Sequence, residues 1–120
     1  MILNRPVGPL RVWLKNDDVP GLAMTRSFGD TVANKVGVHA VPEIMEVQIG
    51  ERDRMIVVGS DGIWEFMTNE EVTKIVYPFF KKKNAEAAAD ALVRAAFAKW
   101  RKQEDVVDDI TCVIILICRR

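Results

Sequence analysis

The sequence predicts an α+β protein with antiparallel strands, and the order of its apolar segments carries this prediction. Strand-like segments fill the first half of the chain, two segments of helical periodicity follow, and an apolar strand-like run at 111–118 comes last. Strands followed by helices are typical of the α+β class. Two helices cover only one face of a sheet, so strands as apolar as 55–60 and 111–118 require a second layer, most simply a second sheet.

The first half of the chain contains several strand signals separated by turn residues. LRVWLK (10–15) predicts a short strand, and NDDVPG (16–21) predicts a turn because Asn, Asp, Pro and Gly favour turns. The segment 35–50 predicts two strands separated at Pro42, followed by a hairpin-type turn at 50–53. MIVVGS (55–60) is apolar throughout and predicts a buried strand.

The first helix is predicted from a capping signal and an apolar stripe. Thr68 and Glu71 have the spacing of a capping box, in which each residue bonds the backbone of the other. The apolar residues that follow recur at helical spacing as far as Phe80, at Val72, Ile75, Val76 and Phe79. These signals predict one amphipathic helix.

The second helix follows a short basic connection. Asn84 can cap it, and its predicted apolar stripe consists of Ala89, Leu92, Ala96 and Trp100. The lysines at 81–83 are interpreted as a solvated connector, with a phosphate-attracting patch as the alternative. Two aspartates, Asp108 and Asp109, then lead into the last apolar strand.

Composition and charge exclude several classes of protein. The chain has 120 residues, 49% of them hydrophobic, with 17 basic and 17 acidic side chains, which is typical of one soluble globular domain. Zero net charge gives no overall field that attracts nucleic acid or an anionic membrane. The run CVIILIC is far shorter than the roughly 20 residues of a membrane-spanning helix, and the first ten residues, MILNRPVGPL, lack the apolar h-region of a signal peptide. We therefore expect a cytoplasmic or nuclear protein with neither nucleic acid nor membrane as a partner.

The cysteines and the histidine are assigned structural roles. Cys112 and Cys118 are six residues apart in one strand-like run, about 20 Å at the usual rise per residue, so they cannot bridge each other. They are interpreted as buried thiols, because a zinc site would need closer spacing and more histidines. His39 is interpreted as a half-exposed strand residue, with a catalytic base as the less favoured alternative.

Aspartates lie at the ends of the two most apolar strands. Asp61 follows 55–60, and Asp108 precedes the final strand. If these strands pair antiparallel, both carboxylates lie at the same edge of the sheet, where hard cations such as Mg²⁺ or Mn²⁺ favour oxygen ligands. Asp-Gly is equally a common turn dipeptide, and Asp108 could simply precede a strand. Pattern alone leaves a turn and a metal ligand open, and Gly62 suits either because it tolerates unusual backbone angles.

Four ordered motifs resemble one family. PGLAMTRSFGD (20–30), VPE (41–43), VVGSDGIWEF (57–66) and VDDIT (107–111) resemble the carboxyl-terminal half of the catalytic domain of the metal-dependent serine/threonine protein phosphatases, the PPM or type 2C family. The resemblance implies an antiparallel β-sandwich with flanking helices and a binuclear Mn²⁺ or Mg²⁺ centre. It also implies that a metal-bridged water hydrolyses phosphoserine or phosphothreonine in a phosphoprotein substrate.

The same resemblance implies roles for individual residues. Asp61 and Asp108 correspond to metal ligands, and no other catalytic residue is identified. Three further residues are assigned places beside the ligands or in the loop leading to the site: Asp109, Asp30 and Arg26. Trp64 and Phe66 are expected to be core anchors where the strand passes into a helix.

The family domain is roughly twice as long or longer, and residues 1–120 are expected to be its C-terminal half. The other acidic ligands, the Asp-Gly-His-Gly segment and a phosphate-binding arginine of the family are not in this sequence. We therefore expect the chain to be inactive alone and to need the N-terminal half of the domain or a second copy as a partner. The alternative is a truncated chain or pseudophosphatase that acts as a protein-binding or dimerising module.

Overall fold

The computed structural model describes residues 8–118, which belong to two compact units, one ending at Val47 and one beginning at Gln48. The N-terminal unit contains strands β1 (Val12–Leu14) and β2 (Asp17–Leu22) and a short helix α1 (Thr31–Asn34). The C-terminal unit consists, in chain order, of strand β3 (Met55–Gly59), helices α2 (Asp61–Trp64), α3 (Asn69–Phe80) and α4 (Ala85–Gln103), and strand β4 (Cys112–Leu116).

The N-terminal unit is built on an irregular hairpin. Strands β1 and β2 pair antiparallel, with register shifts on both sides of Trp13. Gly21 has a φ of +65°, and a Cβ there would lie 2.8 Å from the Trp13 ring, so the ring lies directly against the glycine backbone. The predicted turn at 16–21 is therefore wrong, because Asp17–Leu22 forms a strand and the chain reverses at Lys15 and Asn16.

The two strands predicted within 35–50 are not formed. His39 makes only an isolated parallel bridge with Arg26, and residues 40–50 contain no regular strand. The apolar side chains of this segment, Val41, Ile44, Met45 and Val47, are exposed rather than paired against a sheet. An alternating apolar pattern predicts a strand only where another strand is present to accept its hydrogen bonds.

In the C-terminal unit, two helices pack on one face of a two-stranded ribbon. β3 pairs antiparallel with β4 in regular register from Met55 opposite Leu116 to Gly59 opposite Cys112. The inward residues of this ribbon pack against a core of Ile63, Met67, Val72, Val76, Ala88, Leu92 and Ala96. The strands and helices predicted for this half of the chain are confirmed.

Both predicted helix caps are present. The Thr68 hydroxyl accepts a hydrogen bond from the Glu71 amide at 3.2 Å, and the Glu71 carboxylate accepts one from the Thr68 amide at 3.0 Å. The Asn84 side chain accepts a bond from the Ala87 amide at 2.9 Å. Each cap satisfies backbone donors that the first turn of a helix leaves unpaired.

The ribbon's outer face is open, which corrects the prediction of strands buried on both sides. Val58 lies opposite Val113, and Ile56 lies opposite Ile115. These four side chains are between 38% and 58% exposed, and we call them the outer apolar face. The apolar composition of the strands thus predicted a second covering layer, and residues 48–118, the described part of the C-terminal unit, do not supply one.

The cysteines are only partly as expected. Cys112 is half-buried in β4, and desolvation there raises the pKa of its thiol. Cys118 lies beyond the end of β4 and is exposed, so its assignment as a buried thiol is wrong. Both thiols are free, as their spacing predicts.

Candidate metal centre

The candidate site lies at the edge of the ribbon where β3 ends and β4 begins. Antiparallel pairing of Gly59 with Cys112 brings these two ends together, as the sequence predicts. Ser60 joins them: its amide donates to the Thr111 carbonyl at 3.0 Å, and its hydroxyl donates to the Asp109 carbonyl at 3.2 Å. The same hydroxyl accepts a bond from the Thr111 amide. Asp61 and the Asp108–Asp109 pair are therefore attached to one hydrogen-bonded edge.

Gly62 is required here for a reason other than backbone flexibility. A Cβ on Gly62 would lie 2.2 Å from the carbonyl oxygen of Asp109 and 2.9 Å from the Cα of Ile110. Gly62 is helical and buried, so the residue provides space for the second chain segment rather than an unusual φ. The interpretation of Asp-Gly as turn chemistry is therefore replaced by close packing of α2 against the segment that leads into β4.

Aromatic side chains fix α2 from two sides. The indole N–H of Trp100 in α4 donates to the Gly62 carbonyl at 2.7 Å, and its ring meets Phe66 edge to face at 4.6 Å. The indole N–H of Trp64 donates to the Gly59 carbonyl at 3.1 Å. Phe66 is half-buried, but Trp64 is 36% exposed, so Trp64 lies at the border of the core rather than within it.

The acidic side chains at this edge are exposed and have no cationic neighbour within ion-pair distance among residues 8–118. The Asp108 carboxylate accepts a bond from the amide of Asp109 at 2.8 Å, which ties this side chain to the neighbouring backbone. The backbone carbonyl of Asp61 accepts the Glu65 amide, and among the described residues its side chain has no hydrogen-bond partner. Carboxylate oxygens remain available to an external cation.

These donors fit a hard divalent cation in kind, but they are an incomplete set. Mg²⁺ and Mn²⁺ prefer carboxylate oxygens and retain waters when the protein supplies few ligands. Within the described part of the chain, no group of three or more His, Cys, Asp or Glu side chains is arranged to hold a metal ion. Asp61 and Asp108 alone are therefore too few to fix a metal ion, and a metal centre at this edge would need further ligands.

The other residues assigned near the site lie in the N-terminal unit. Asp30 caps α1, where its carboxylate accepts the Ala33 amide at 2.9 Å. Arg26 forms an ion pair with Glu43 at 2.5 Å, which joins the motif at 20–30 to the motif at 41–43. Both residues therefore make contacts that stabilise the N-terminal unit.

Comparison with known proteins shows the family to which this chain belongs. The profile of the family "Protein phosphatase 2C" matches residues 9–105, most of the chain. The chain belongs to this family, which confirms the resemblance drawn from its motifs. The fourth motif, at 107–111, lies just beyond the matched residues.

Relatives from plants show the same similarity at the level of sequence. The chain is 40% identical over 109 residues to "Probable protein phosphatase 2C 72" of Arabidopsis thaliana, covering 89% of this chain and 32% of that protein. It is 36% identical over 107 residues to "Probable protein phosphatase 2C 64" of Oryza sativa subsp. japonica, covering 89% of this chain and 24% of that protein. The chain thus spans about a third of these relatives or less.

A solved structure confirms the fold class. The crystal structure of serine-threonine phosphatase 2C from Toxoplasma gondii superposes with a TM-score of 0.70 at 22% identity, covering 79% of this chain and 29% of that one. The predicted α+β fold, as part of a phosphatase 2C sandwich, agrees with this match. No helix among residues 8–118 is long and apolar enough to cross a membrane.

Two features of the site were not predicted from the sequence. The clamp formed by Ser60 and the bond from Trp100 to Gly62 both join residues far apart along the chain. Serine after an apolar strand carries no signal of its own, and Trp100 fits the apolar stripe of α4 equally well without a polar partner. The Ser60 contacts follow only from the pairing of β3 with β4, and the Trp100 bond follows only from the packing of α4 beside α2.

Proposed function

We propose that this chain is the C-terminal half of a metal-dependent protein serine/threonine phosphatase domain and contributes Asp61 and Asp108 as ligands of its Mg²⁺ or Mn²⁺ centre. The observation that carries the proposal is the fixed edge where β3 meets β4, with both aspartates exposed on it. Membership in the phosphatase 2C family supplies the reaction class, hydrolysis of phosphoserine or phosphothreonine in a protein substrate.

When bound, a pair of divalent cations would lower the pKa of water and neutralise charge on the phosphoryl group. The residues of this chain would hold the carboxylates of Asp61 and Asp108 in position. Ser60 joins the two chain ends, and the Trp100 bond to Gly62 fixes the helix that begins at Asp61. Asp109 contributes backbone contacts here, and its side chain is assigned a place beside the ligands.

The first experiment measures hydrolysis of p-nitrophenyl phosphate with Mn²⁺, by the chain alone and by the chain co-expressed with the N-terminal half of a phosphatase 2C domain. We expect turnover only with the N-terminal half, and its loss in Asp61→Asn. Asp90→Asn is the matched control and should keep full turnover, because Asp90 is an exposed residue near the start of α4 whose ionic partner is Arg94 of the same helix. Equal turnover in Asp61→Asn and Asp90→Asn would contradict the assignment of Asp61.

A second candidate function, a protein-binding or dimerising module, is favoured by the outer apolar face. Exposed apolar patches on sheets promote association, and β3 and β4 each have an edge unpaired among the described residues. Sedimentation of the wild-type chain should then show dimers, and Val58→Lys with Val113→Lys should restore the monomer. A compact wild-type monomer over the whole concentration range would contradict this second function.

A further inference from the structure

A group of basic residues lies at the end of the C-terminal unit away from the aspartates. It consists of Arg52 and Arg54, just before β3, and Lys81, Lys82 and Lys83 between α3 and α4. We call this group the basic pole. The guanidinium of Arg54 lies 6.0 Å from the ring centroid of Phe80, the last residue of α3, so the entry to β3 and the lysine connection are neighbours.

The basic pole and the aspartate edge are at opposite ends of the unit. Met55 pairs with Leu116 at the first end of the ribbon, and Gly59 pairs with Cys112 at the other. The five residues of β3 span about 17 Å at the usual rise of a strand. The contact of Trp100 with Gly62 places the C-terminal end of α4 at the aspartate edge, which is consistent with its N-terminal end lying at the basic pole.

None of the cations of the basic pole forms an ion pair within residues 8–118, and the carboxylates of Glu51 and Asp53 lie in the same turn as the two arginines. The ion pairs found between Gly8 and Cys118 are those of Arg26, Arg94 and Lys99, none of which belongs to the pole. Arg54 donates to a backbone carbonyl, that of Glu51. The carboxylate of Asp53 accepts the Gly50 amide of its own turn, and Glu86 is the acidic residue closest along the chain to the lysines.

The lysine connection is held in one conformation. The amides of Lys82 and Asn84 both donate to the Phe79 carbonyl, at 3.1 and 3.3 Å, and the Lys83 amide donates to the Phe80 carbonyl. Lys83 has a φ of +50°, a left-handed conformation that these bonds maintain. The fixed backbone holds the three lysines near one another. Binding of an anionic partner therefore costs little conformational entropy for ordering this loop.

We propose that the basic pole is a docking surface for an acidic segment of the phosphoprotein substrate. The identity of the partner as substrate rests on the proposed phosphatase function. An extended segment covers about 3.3 Å per residue, so an acidic tract must be separated from the phosphorylated residue by about five residues or more to reach both ends of the unit. The basic pole would then favour substrates that carry an acidic tract several residues away from the phosphorylated residue.

The test uses two fluorescein-labelled peptides and measures binding by anisotropy in the absence of metal. One peptide carries phosphoserine and a glutamate tract about six residues away, and the other has glutamine in place of glutamate. The variant Lys81→Gln with Lys82→Gln leaves Lys83 and its backbone conformation intact. Lys74→Gln with Lys102→Gln, exposed positions on α3 and α4, is the control with the same change of charge.

We expect the basic-pole variant to bind the glutamate peptide about fivefold more weakly than the wild type, with little change in the control and none for the glutamine peptide. Added salt should reduce the difference. Equal weakening in both variants, or no preference for the glutamate peptide, would overturn the proposal. Binding to phosphatidylcholine vesicles carrying phosphatidylserine, without binding to the peptide, would overturn it in favour of a membrane surface.

The binding assay does not depend on turnover. Peptide binding that needs Lys81 and Lys82, without phosphatase activity in the co-expressed complex, would contradict the proposed function and keep the docking surface. Phosphatase activity in the complex without such peptide binding would support the proposed function and contradict the docking surface. Circular dichroism of each variant checks that the exposed substitutions leave the fold unchanged.

Discussion

The carbonyl oxygen of Asp109 lies where a side chain on Gly62 would begin. An ideal Cβ on Gly62 would be 2.2 Å from that oxygen, and neither partner is a flexible side-chain end that could move aside. The contact therefore joins the start of α2 to the segment before β4 at the level of the backbone. The position of Asp61 relative to Asp108 depends on it.

Gly62→Ala should destabilise the protein. Alanine normally stabilises a helical position relative to glycine by about 1 kcal/mol, but the clash with Asp109 should reverse the sign and cost about 3 kcal/mol. Urea denaturation measures the free energy of unfolding. Gly50→Ala is the control, because a Cβ there meets only Asp53 at 3.5 Å. A Gly62→Ala protein as stable as the wild type would show that this backbone contact is not tight.

Trp100→Phe should lower stability by about 1.5 kcal/mol, because it leaves the Gly62 carbonyl without its donor while keeping an aromatic ring beside Phe66. Trp64→Phe removes a longer bond, to Gly59, from a more exposed position and should cost less. Thermal unfolding of the two variants provides the comparison. A larger loss for Trp64→Phe would contradict the role assigned to Trp100.

Thr68→Ala should cost about 1 kcal/mol, because the hydroxyl that accepts the Glu71 amide is lost from the capping box of α3. Thr73→Ala provides a matched control on the same helix. The Thr73 hydroxyl donates back to the Asn69 carbonyl within α3, and alanine is the better helix former at such an exposed site. Chemical denaturation should show destabilisation for Thr68→Ala and no loss for Thr73→Ala.

The carboxyl of Glu71 should make stability depend on pH. The hydrogen bond from Lys99, and then that from the Thr68 amide, hold the pKa of Glu71 below its ordinary value of 4.5. Since the folded-state pKa is the lower one, this stabilisation is complete above 4.5 and is lost as the pH falls through the folded-state value.

Urea midpoints measured from neutral pH down to about pH 3 test this dependence, since that range includes the titration of ordinary carboxyls. Glu71→Gln should be less stable than the wild type at neutral pH, and the difference should shrink in acid. Glu70→Gln, on the exposed side of the same first turn, should change little at any pH. A constant difference between Glu71→Gln and wild type across the range would contradict the pKa assignment.

The C-terminal unit could be predicted from the sequence because its signals are local. The capping box at Thr68, the Asn84 cap and the continuous apolar runs of β3 and β4 each specify one element within a few residues. The placement of Asp61 and Asp108 at one edge followed from a single assumption, antiparallel pairing, which Gly59 and Cys112 confirm.

The N-terminal unit could not be predicted in the same way. Residues 17–22 contain strong turn formers, yet they pair with β1 in an irregular strand with Trp13 against Gly21. Met45, Val47 and Ile49 alternate with polar residues as in a strand, yet this segment has no partner strand among the described residues. In both segments the outcome depends on a neighbouring chain segment, which local propensity does not encode.

The Ser60 clamp has a consequence for the order in which a metal centre of this kind could assemble. Every contact that fixes the two aspartates comes from residues 59–111, within one compact unit. That unit can therefore place the two proposed ligands, Asp61 and Asp108, before any other part of a phosphatase domain folds against it. A cation that binds later would not need to order the backbone around Asp61 and Asp108. The loss of conformational entropy on metal binding would then come from the segment that supplies the remaining ligands.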